Sequence, residues 1–382
     1  MIEFTTKLAD FKKALNIVSL AIDESPELIK GQALFIAQAS EALLYASNED
    51  KIAKALLPIE GLQSPCSFTI DPKRVQTLLS NSDTDIIKIG YDDESKTVLF
   101  YVSEESDSHV SFGSLDPSTA ISFEEEIQEV KEIKSLDASI FLTGIKFILG
   151  FLPGDDKNKK FSHLFVTDGV MYGSNGSSKI GAFISPDIEG ANKLVIRRSM
   201  LQPIVNFIDK TDTSTIIITE TDKKLIFFSQ DDHFCFGFRK SLIEQPKMPI
   251  SVEPPNIKGF SIEKGPFIKK INRLSLTSRD DIGIKILVKN NEISMQTISD
   301  RPSTEKSLCK AFSENTDLDF VCKCGDLKNL LGLFQASSID AYIDKTKCII
   351  YSKAELLVEE TGKDPTKKPF TAIGLMTLAR II

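Results

Sequence analysis

Three short stretches hold residue types that could do chemistry. Asp231, Asp232, His233 and Cys235 lie within five residues of one another, an acid, an imidazole and a thiol that could serve a metal or a nucleophile. The stretch leads into a strand pattern, however, and neighbouring strand side chains point to opposite faces. Cys322 and Cys324 lack a second cysteine pair at zinc-finger spacing. Residues 173–181, GSNGSSKIG, miss the spacing of a phosphate loop and lead into no helix, so they read as a hairpin turn. With three histidines in the chain (His109, His163, His233), a histidine-centred active site has few places to be. No catalytic residue, metal site or cofactor is expected.

The other chemistry on offer is charge. The chain has 382 residues and a net charge of −8, whereas a nucleic-acid binder is expected to show a basic patch or stripe. Such a role needs the cations gathered on one surface. Residues 11–20, FKKALNIVSL, carry Lys12 and Lys13; residues 267–276, FIKKINRLSL, carry Lys269, Lys270 and Arg273. Two further amphipathic segments carry Lys73 with Arg74 and Arg197 with Arg198. Lys146 stands alone on its segment, but Lys157, Lys159 and Lys160 follow soon after. Acids concentrate elsewhere, at 92–95, 104–106, 124–126 and 220–222. A solvated helix face explains any one of these groups. Their recurrence fits a polyanion read through its phosphates rather than its bases. Aromatic residues are sparse beside them, which disfavours single-strand stacking.

The elements that must position these cations repeat. The segments at 11–20 and 267–276 match without gaps at Phe11/Phe267, Lys13/Lys269, Asn16/Asn272, Ser19/Ser275 and Leu20/Leu276. Midway, Phe141, Ile145 and Ile148 fall where Phe11, Leu15 and Val18 fall in the first copy. Each copy keeps apolar residues at i, i+4 and i+7, one face of a helix. The second half of each repeat has a strand-like run leading into another short helix, at 68–81, 194–208 and 320–334. Hairpin signals follow at 87–102, 216–229 and 341–352. Repeats of about 125–130 residues are domains rather than solenoid units. A charged join at 122–134 and a proline-rich one at 244–259 divide the chain near 1–123, 135–245 and 257–382. The expected class is α+β: three repeated domains, each two short helices packed on mostly antiparallel sheets.

Composition is globular, 41% hydrophobic and 26% charged, and no apolar run reaches the length of a membrane span. The first residues lack a signal-peptide pattern, and six cysteines are sparse for this length. A reducing, cytoplasmic setting is expected, with no membrane partner.

Three domains, each with a doubled strand–helix–strands pattern, resemble the bacterial DNA polymerase sliding clamps, the β clamps. The resemblance runs the length of the chain. It includes the Phe-x-Lys first helix, the strands at 162–185, the join at 233–249 and the last strand at 370–376. It implies two chains closed head to tail into a homodimeric ring around double-stranded DNA, bound without regard to sequence. Such a ring is a processivity factor: it tethers DNA polymerase, needs a clamp loader to open it, and does no chemistry itself. By the same resemblance Val110 and Phe112 would meet Leu274 and Leu276 of a second copy. A partner-peptide pocket would be lined by Ser174, Asn175, Gly176, Ile180, Pro246, Ile349, Tyr351, Ile373, Leu375 and Met376. The turn at 174–179, SNGSSK, departs from the family's Asp-Gly-His-Arg, and residues 377–382 run past the expected end. These departures suggest a divergent clamp, of the kind a phage or mobile element would carry for its own polymerase. The alternative is a clamp-like protein that binds replication or transcription proteins without encircling DNA.

Overall fold

In chain order, β1 (Ile2–Lys7) runs straight into α1 (Leu8–Val18), followed by β2 (Ala33–Gln38), β3 (Glu41–Ser47) and β4 (Lys51–Pro58). The pattern repeats with β5 (Cys66–Ile70), α2 (Pro72–Leu79), β6 (Ile86–Asp92), β7 (Thr97–Tyr101) and β8 (His109–Gly113). Next come β9 (Lys131–Asp137), α3 (Ala138–Leu149), β10 (His163–Thr167), β11 (Val170–Ser174) and β12 (Lys179–Ile184). They are followed by β13 (Leu194–Arg197), α4 (Arg198–Thr211), β14 (Thr215–Glu220), β15 (Lys224–Ser229) and β16 (Phe234–Arg239). The last third holds β17 (Gly259–Glu263), α5 (Lys264–Thr277), β18 (Gly283–Lys289), β19 (Glu292–Thr297), β20 (Thr304–Leu308) and β21 (Lys310–Ala311). It ends with β22 (Leu318–Lys323), α6 (Cys324–Leu333), β23 (Ser338–Asp344), β24 (Lys347–Val358) and β25 (Thr366–Thr377). The computed structural model describes residues 1–22, 31–80, 82, 84–102, 108–117, 131–154, 161–176, 178–189, 193–246, 253, 258–277, 283–299, 302–312, 317–344, 347–358 and 366–378. The predicted joins at 122–134 and 244–259 fall largely outside them.

The class is α+β and every strand pairing is antiparallel. The helices and hairpins sit where the repeats predict them. By compactness the chain divides into two units, Met1–Ala138 with Gln202–Ser241, and Ser139–Leu201 with Leu242–Ile382. The first unit holds a four-stranded sheet, β1-β6-β7-β8, and an eight-stranded sheet, β5-β2-β3-β4-β16-β15-β14-β9. The second holds a nine-stranded sheet, β13-β10-β11-β12-β25-β24-β23-β17-β21, and a four-stranded sheet, β20-β19-β18-β22. The middle repeat is shared between the units because the sheets run through the repeat boundaries. β16 pairs with β4 from Phe234↔Ala55 to Phe238↔Lys51, and β12 pairs with β25 from Lys179↔Met376 to Ile184↔Thr371.

Each strand that leads into a helix joins the sheet of the other half of its repeat: β1 pairs with β6, and β5 with β2. This exchange locks the two halves of a repeat together. The helices are held by their apolar stripe. Phe11, Leu15 and Val18 are fully buried, as are Phe141, Ile145 and Ile148, and Phe267 and Ile271 nearly so. Burial of one such side chain contributes about 1.5–3 kcal/mol. Phe11 also lies near the rings of Phe35 (6.3 Å) and Phe100 (6.1 Å). The second helix of the first repeat starts on a cap: the Asp71 carboxylate accepts from Lys73 N and Arg74 N, and Pro72 supplies the first turn.

Close helix-to-sheet approach in the second unit rests on glycines. A Cβ on Gly181 would enter the ring of Phe151, and one on Gly374 would lie 2.8 Å from Leu330 and 3.0 Å from Phe334. Gly181→Ala is expected to lower stability by about 1–3 kcal/mol. Gly332→Ala, in α6 with nothing within 4 Å of the new methyl, should leave it unchanged or raise it by about 0.5–1 kcal/mol. Urea denaturation of both variants tests the opposite signs.

Candidate nucleic-acid interface and docking surfaces

Those predicted cations that lie among the described residues sit on helices or at their starts, in different states. On α1, Lys12 is half-buried and has no hydrogen bond or ion pair among the described residues. Lys13 is engaged: its Nζ donates to Thr211 O at 2.9 Å and lies 4.8 Å above the Phe234 ring. Thr211 ends α4, so the ammonium sits against the negative end of that helix. This half-buried lysine braces α1 against α4, which the Phe-x-Lys pattern does not reveal. On α2, Arg74 is exposed and its Nε lies 3.3 Å from Asp71; Lys73 stands beside it on the first turn. The helices α1 and α2 are tied by Gln76, whose Nε2 donates to Ser19 Oγ at 3.1 Å.

In the second unit Lys146 is exposed on α3. Lys157, Lys159 and Lys160 lie outside the described residues. Arg197 and Arg198 are half-buried where β13 becomes α4; Arg197 faces His163 across the ladder, and Arg198 N donates to Ser162 O. On α5, Lys269 is exposed, Lys270 Nζ donates to Lys306 O at 2.5 Å, and Arg273 lies 3.5 Å from Glu305. The contacts of Arg74, Lys270 and Arg273 are solvent-accessible, and such surface contacts are weak enough to exchange for a phosphate.

Two of the sheet-end strands bear on the predicted contact between copies. β8 is the last strand of its sheet, and β20 of its own. Val110 on β8 is 36% exposed, while Phe112 is half-buried against Phe100, 5.8 Å away. Near β20 the predicted pair separates: Leu276 is 86% exposed, but Leu274 is 1% exposed and belongs to the core. Leu274 falls on the buried stripe of α5 with Phe267 and Ile271, so it is not a surface residue of this chain. Leu308, on β20 itself, is 82% exposed. Sequence reading missed it; its only signal is a lone leucine in a polar strand, TEKSL.

Of the predicted pocket residues, Ser174, Ile180, Ile349, Tyr351, Ile373, Leu375 and Met376 lie on strands of the nine-stranded sheet, Asn175 and Gly176 in the turn after β11, and Pro246 outside any strand. Ile373 and Leu375 of β25, Tyr351 of β24 and Ala182 of β12 form one buried cluster with Phe165, Val170 and Tyr172, and Ile180 and Ile349 pack at its margin. Register explains the set: Ile180 faces Leu375, Ile349 faces Leu375, and Tyr351 faces Ile373. Met376 does not join it. Strand alternation puts it on the face of Gly374, which packs against Leu330 and Phe334 of the helical side. Tyr172 OH donates to Pro246 O at 2.5 Å and Tyr351 OH to Glu253 O at 3.0 Å. Burial raises both phenols, that of Tyr351 to about 12, so both remain donors at neutral pH. Phe165 and Tyr172 were not predicted; the alternation of β10 and β11 is obscured by burial on both faces.

The described residues of the turn at 174–179 are held by bonds within it and from β25, where Thr377 N donates to Ser178 O at 2.9 Å. Asn175 Oδ1 accepts from Ser178 N (3.0 Å) and Lys179 N (2.9 Å), Ser174 Oγ accepts from Gly176 N, and Gly176 takes a φ of 86° that favours glycine. The acid–histidine–thiol stretch is likewise a brace. Asp231 accepts from Ser229 Oγ at 2.5 Å, and His233 Nδ1 lies 3.1 Å from its other oxygen. Cys235 is fully buried, which pushes its thiol up to about 12, far from a reactive thiolate. Among the described residues no group of three or more His, Cys, Asp or Glu could hold a metal ion, and no helix is long and apolar enough to cross a membrane.

No family model matches this sequence, and no curated protein does. Solved structures do. The DNA polymerase sliding clamp of Bacillus subtilis is 13% identical with a TM-score of 0.79, covering 100% of both chains. The beta subunit of the Streptococcus pyogenes DNA polymerase is 14% identical with a TM-score of 0.77, again over 100% of both. The DNA polymerase III subunit beta of Pseudomonas aeruginosa is 12% identical with a TM-score of 0.77, covering 99% of this chain and 100% of that one. Along its whole length, in a sequence far diverged from these, the chain has the fold of the bacterial DNA polymerase sliding clamps.

Proposed function

We propose that this chain is a non-catalytic sliding clamp of three domains: a processivity factor that closes as a homodimer around duplex DNA and tethers a DNA polymerase. One observation carries the reading. The sheets decompose into six blocks, five of four strands and one, β25-β24-β23-β17-β21, of five; in each, the strand that leads into a helix lies at or next to one end, and the strand at the opposite end does not lead into a helix. Four of the latter, β4 with β16 and β12 with β25, are joined in two continuous ladders. Two, β8 and β20, are left open. An open edge presents unpaired backbone donors and acceptors. Joining β8 of one copy to β20 of another would make a third ladder of the same kind, and doing so twice closes a ring. Val110, Leu276 and Leu308 supply the exposed apolar surface that such a join would cover.

In this reading the helix cations line the hole and hold phosphates weakly, so the ring slides. The cluster around Tyr351, Ile373 and Leu375 forms the floor on which partner peptides dock. A loader opens the ring in the cytoplasm. The alternative, a clamp-like protein that binds partners without encircling DNA, draws on the internal engagement of Lys13, Lys270 and Arg273.

Three measurements test the proposal. Light scattering of the purified protein should give a dimer, and Leu308→Glu should shift it to monomer with its thermal transition unchanged; a monomeric parent would count heavily against the ring. Protein loaded on nicked circular DNA should stay on the circle and leave after linearisation; equal retention on both would sink the topological mechanism. Lys12→Glu should weaken retention at low salt without loss of stability, whereas Lys13→Ala should cost about 1 kcal/mol of stability with a small effect on DNA. DNA retention that survives charge reversal at Lys12 and Lys269 together would favour the non-encircling alternative.

A further inference from the structure

The strands β24 and β25 are twelve residues each and pair along their whole length, from Lys347↔Thr377 to Val358↔Thr366. β12 accompanies β25 only as far as Ile184↔Thr371. There the chain turns away: Ser185 Oγ donates to Pro369 O at 3.3 Å, and Pro186–Ile188 form a short helical turn. The nine-stranded sheet thus steps down to a two-stranded ribbon, and the step leaves an open trough of about 700 Å3. Ile184, Thr371 and Pro369 line it with Pro186; Lys353 and Glu355 stand opposite, across from Thr371 and Pro369 in the ladder.

We propose that this trough binds an extended segment of a partner protein, one that presents an apolar side chain beside a carboxylate. The apolar preference follows from the isoleucine and two prolines of the lining. The carboxylate follows from charge. Lys367 lies 3.4 Å from Glu355 and Lys368 lies 3.7 Å from Asp187, so these four charges neutralise one another. Lys353 is exposed and makes no ion pair among the described residues. An anionic group docking here meets one uncompensated cation. Strand addition is not the mode on this side: Pro369 has no N–H, and its carbonyl already accepts from Ser185. The trough is too open to bury most of a small molecule, whereas a peptide can anchor one side chain and leave its main chain in water. The site needs neither DNA nor ring closure, so it stands apart from the clamp reading.

The test uses the full chain and two labelled octapeptides, Gly-Ser-Asp-Ile-Leu-Asp-Ser-Gly and a counterpart with lysine at both aspartates, followed by fluorescence anisotropy. The acidic peptide should bind saturably and about tenfold more tightly than the basic one. Lys353→Glu should reverse that order, Lys353→Arg should keep it, and Thr371→Arg, which fills the trough, should abolish binding of both. Equal affinities, no saturation up to about 1 mM, or acidic-peptide binding unchanged by Lys353→Glu would each overturn the proposal, the last because it places the peptide elsewhere on the sheet. So would occupation by a second copy of this chain, seen as a molar mass that Thr371→Arg alters while neither peptide binds.

Discussion

Backbone hydrogen bonds across the repeat boundaries are the constraint on which this architecture rests. A strand at the end of a sheet has donors and acceptors that must pair with something, and here β4 finds β16 and β12 finds β25. These ladders make the sheets of neighbouring repeats continuous, with buried apolar clusters spanning both joins: Tyr45, Ile52, Ile226 and Cys235 at one, Tyr351, Ile373, Leu375 and Ala182 at the other. The middle repeat consequently belongs in part to each compact unit. The same constraint gives β8 and β20 their significance, since they occupy the equivalent position in their blocks without a partner.

The helices depend on the sheets for their placement and contribute charge in return. Their buried stripes are nearly interchangeable, with a phenylalanine at the same point of each first helix. Their polar sides are not. Lys13 serves packing between α1 and α4, Lys270 reaches a backbone carbonyl, Lys12 is half-buried and Lys269 is exposed. An acidic chain can therefore carry a cationic surface only in so far as its lysines are not recruited to hold the fold.

On the second unit's sheet, alternation divides labour between two faces. Gly173, Gly181 and Gly374 allow Leu152, Phe151 and Phe334 to press on one face, while Tyr172, Ala182, Ile373 and Leu375 build the other. Met376, next in sequence to Leu375, goes with the glycines because a strand has a period of two. At the turn after β11, Asn175 caps its own loop.

Periodicity was enough to read the helices, the hairpins and the threefold repeat from residue types alone. Phe11, Phe141 and Phe267 mark their helices because burying a ring on one face of a helix is a local requirement that local spacing records. The acid–histidine–thiol stretch is also local: Asp231 and His233 meet at 3.1 Å in the turn before β16, while Cys235 is buried on the strand itself. Which strand pairs with which across the boundaries, that Leu274 is core while Leu308 is surface, and that Lys13 is bound to a carbonyl 198 residues away were decided only by the tertiary structure. Those facts depend on partners distant in sequence, and a residue's type does not encode the address of its partner.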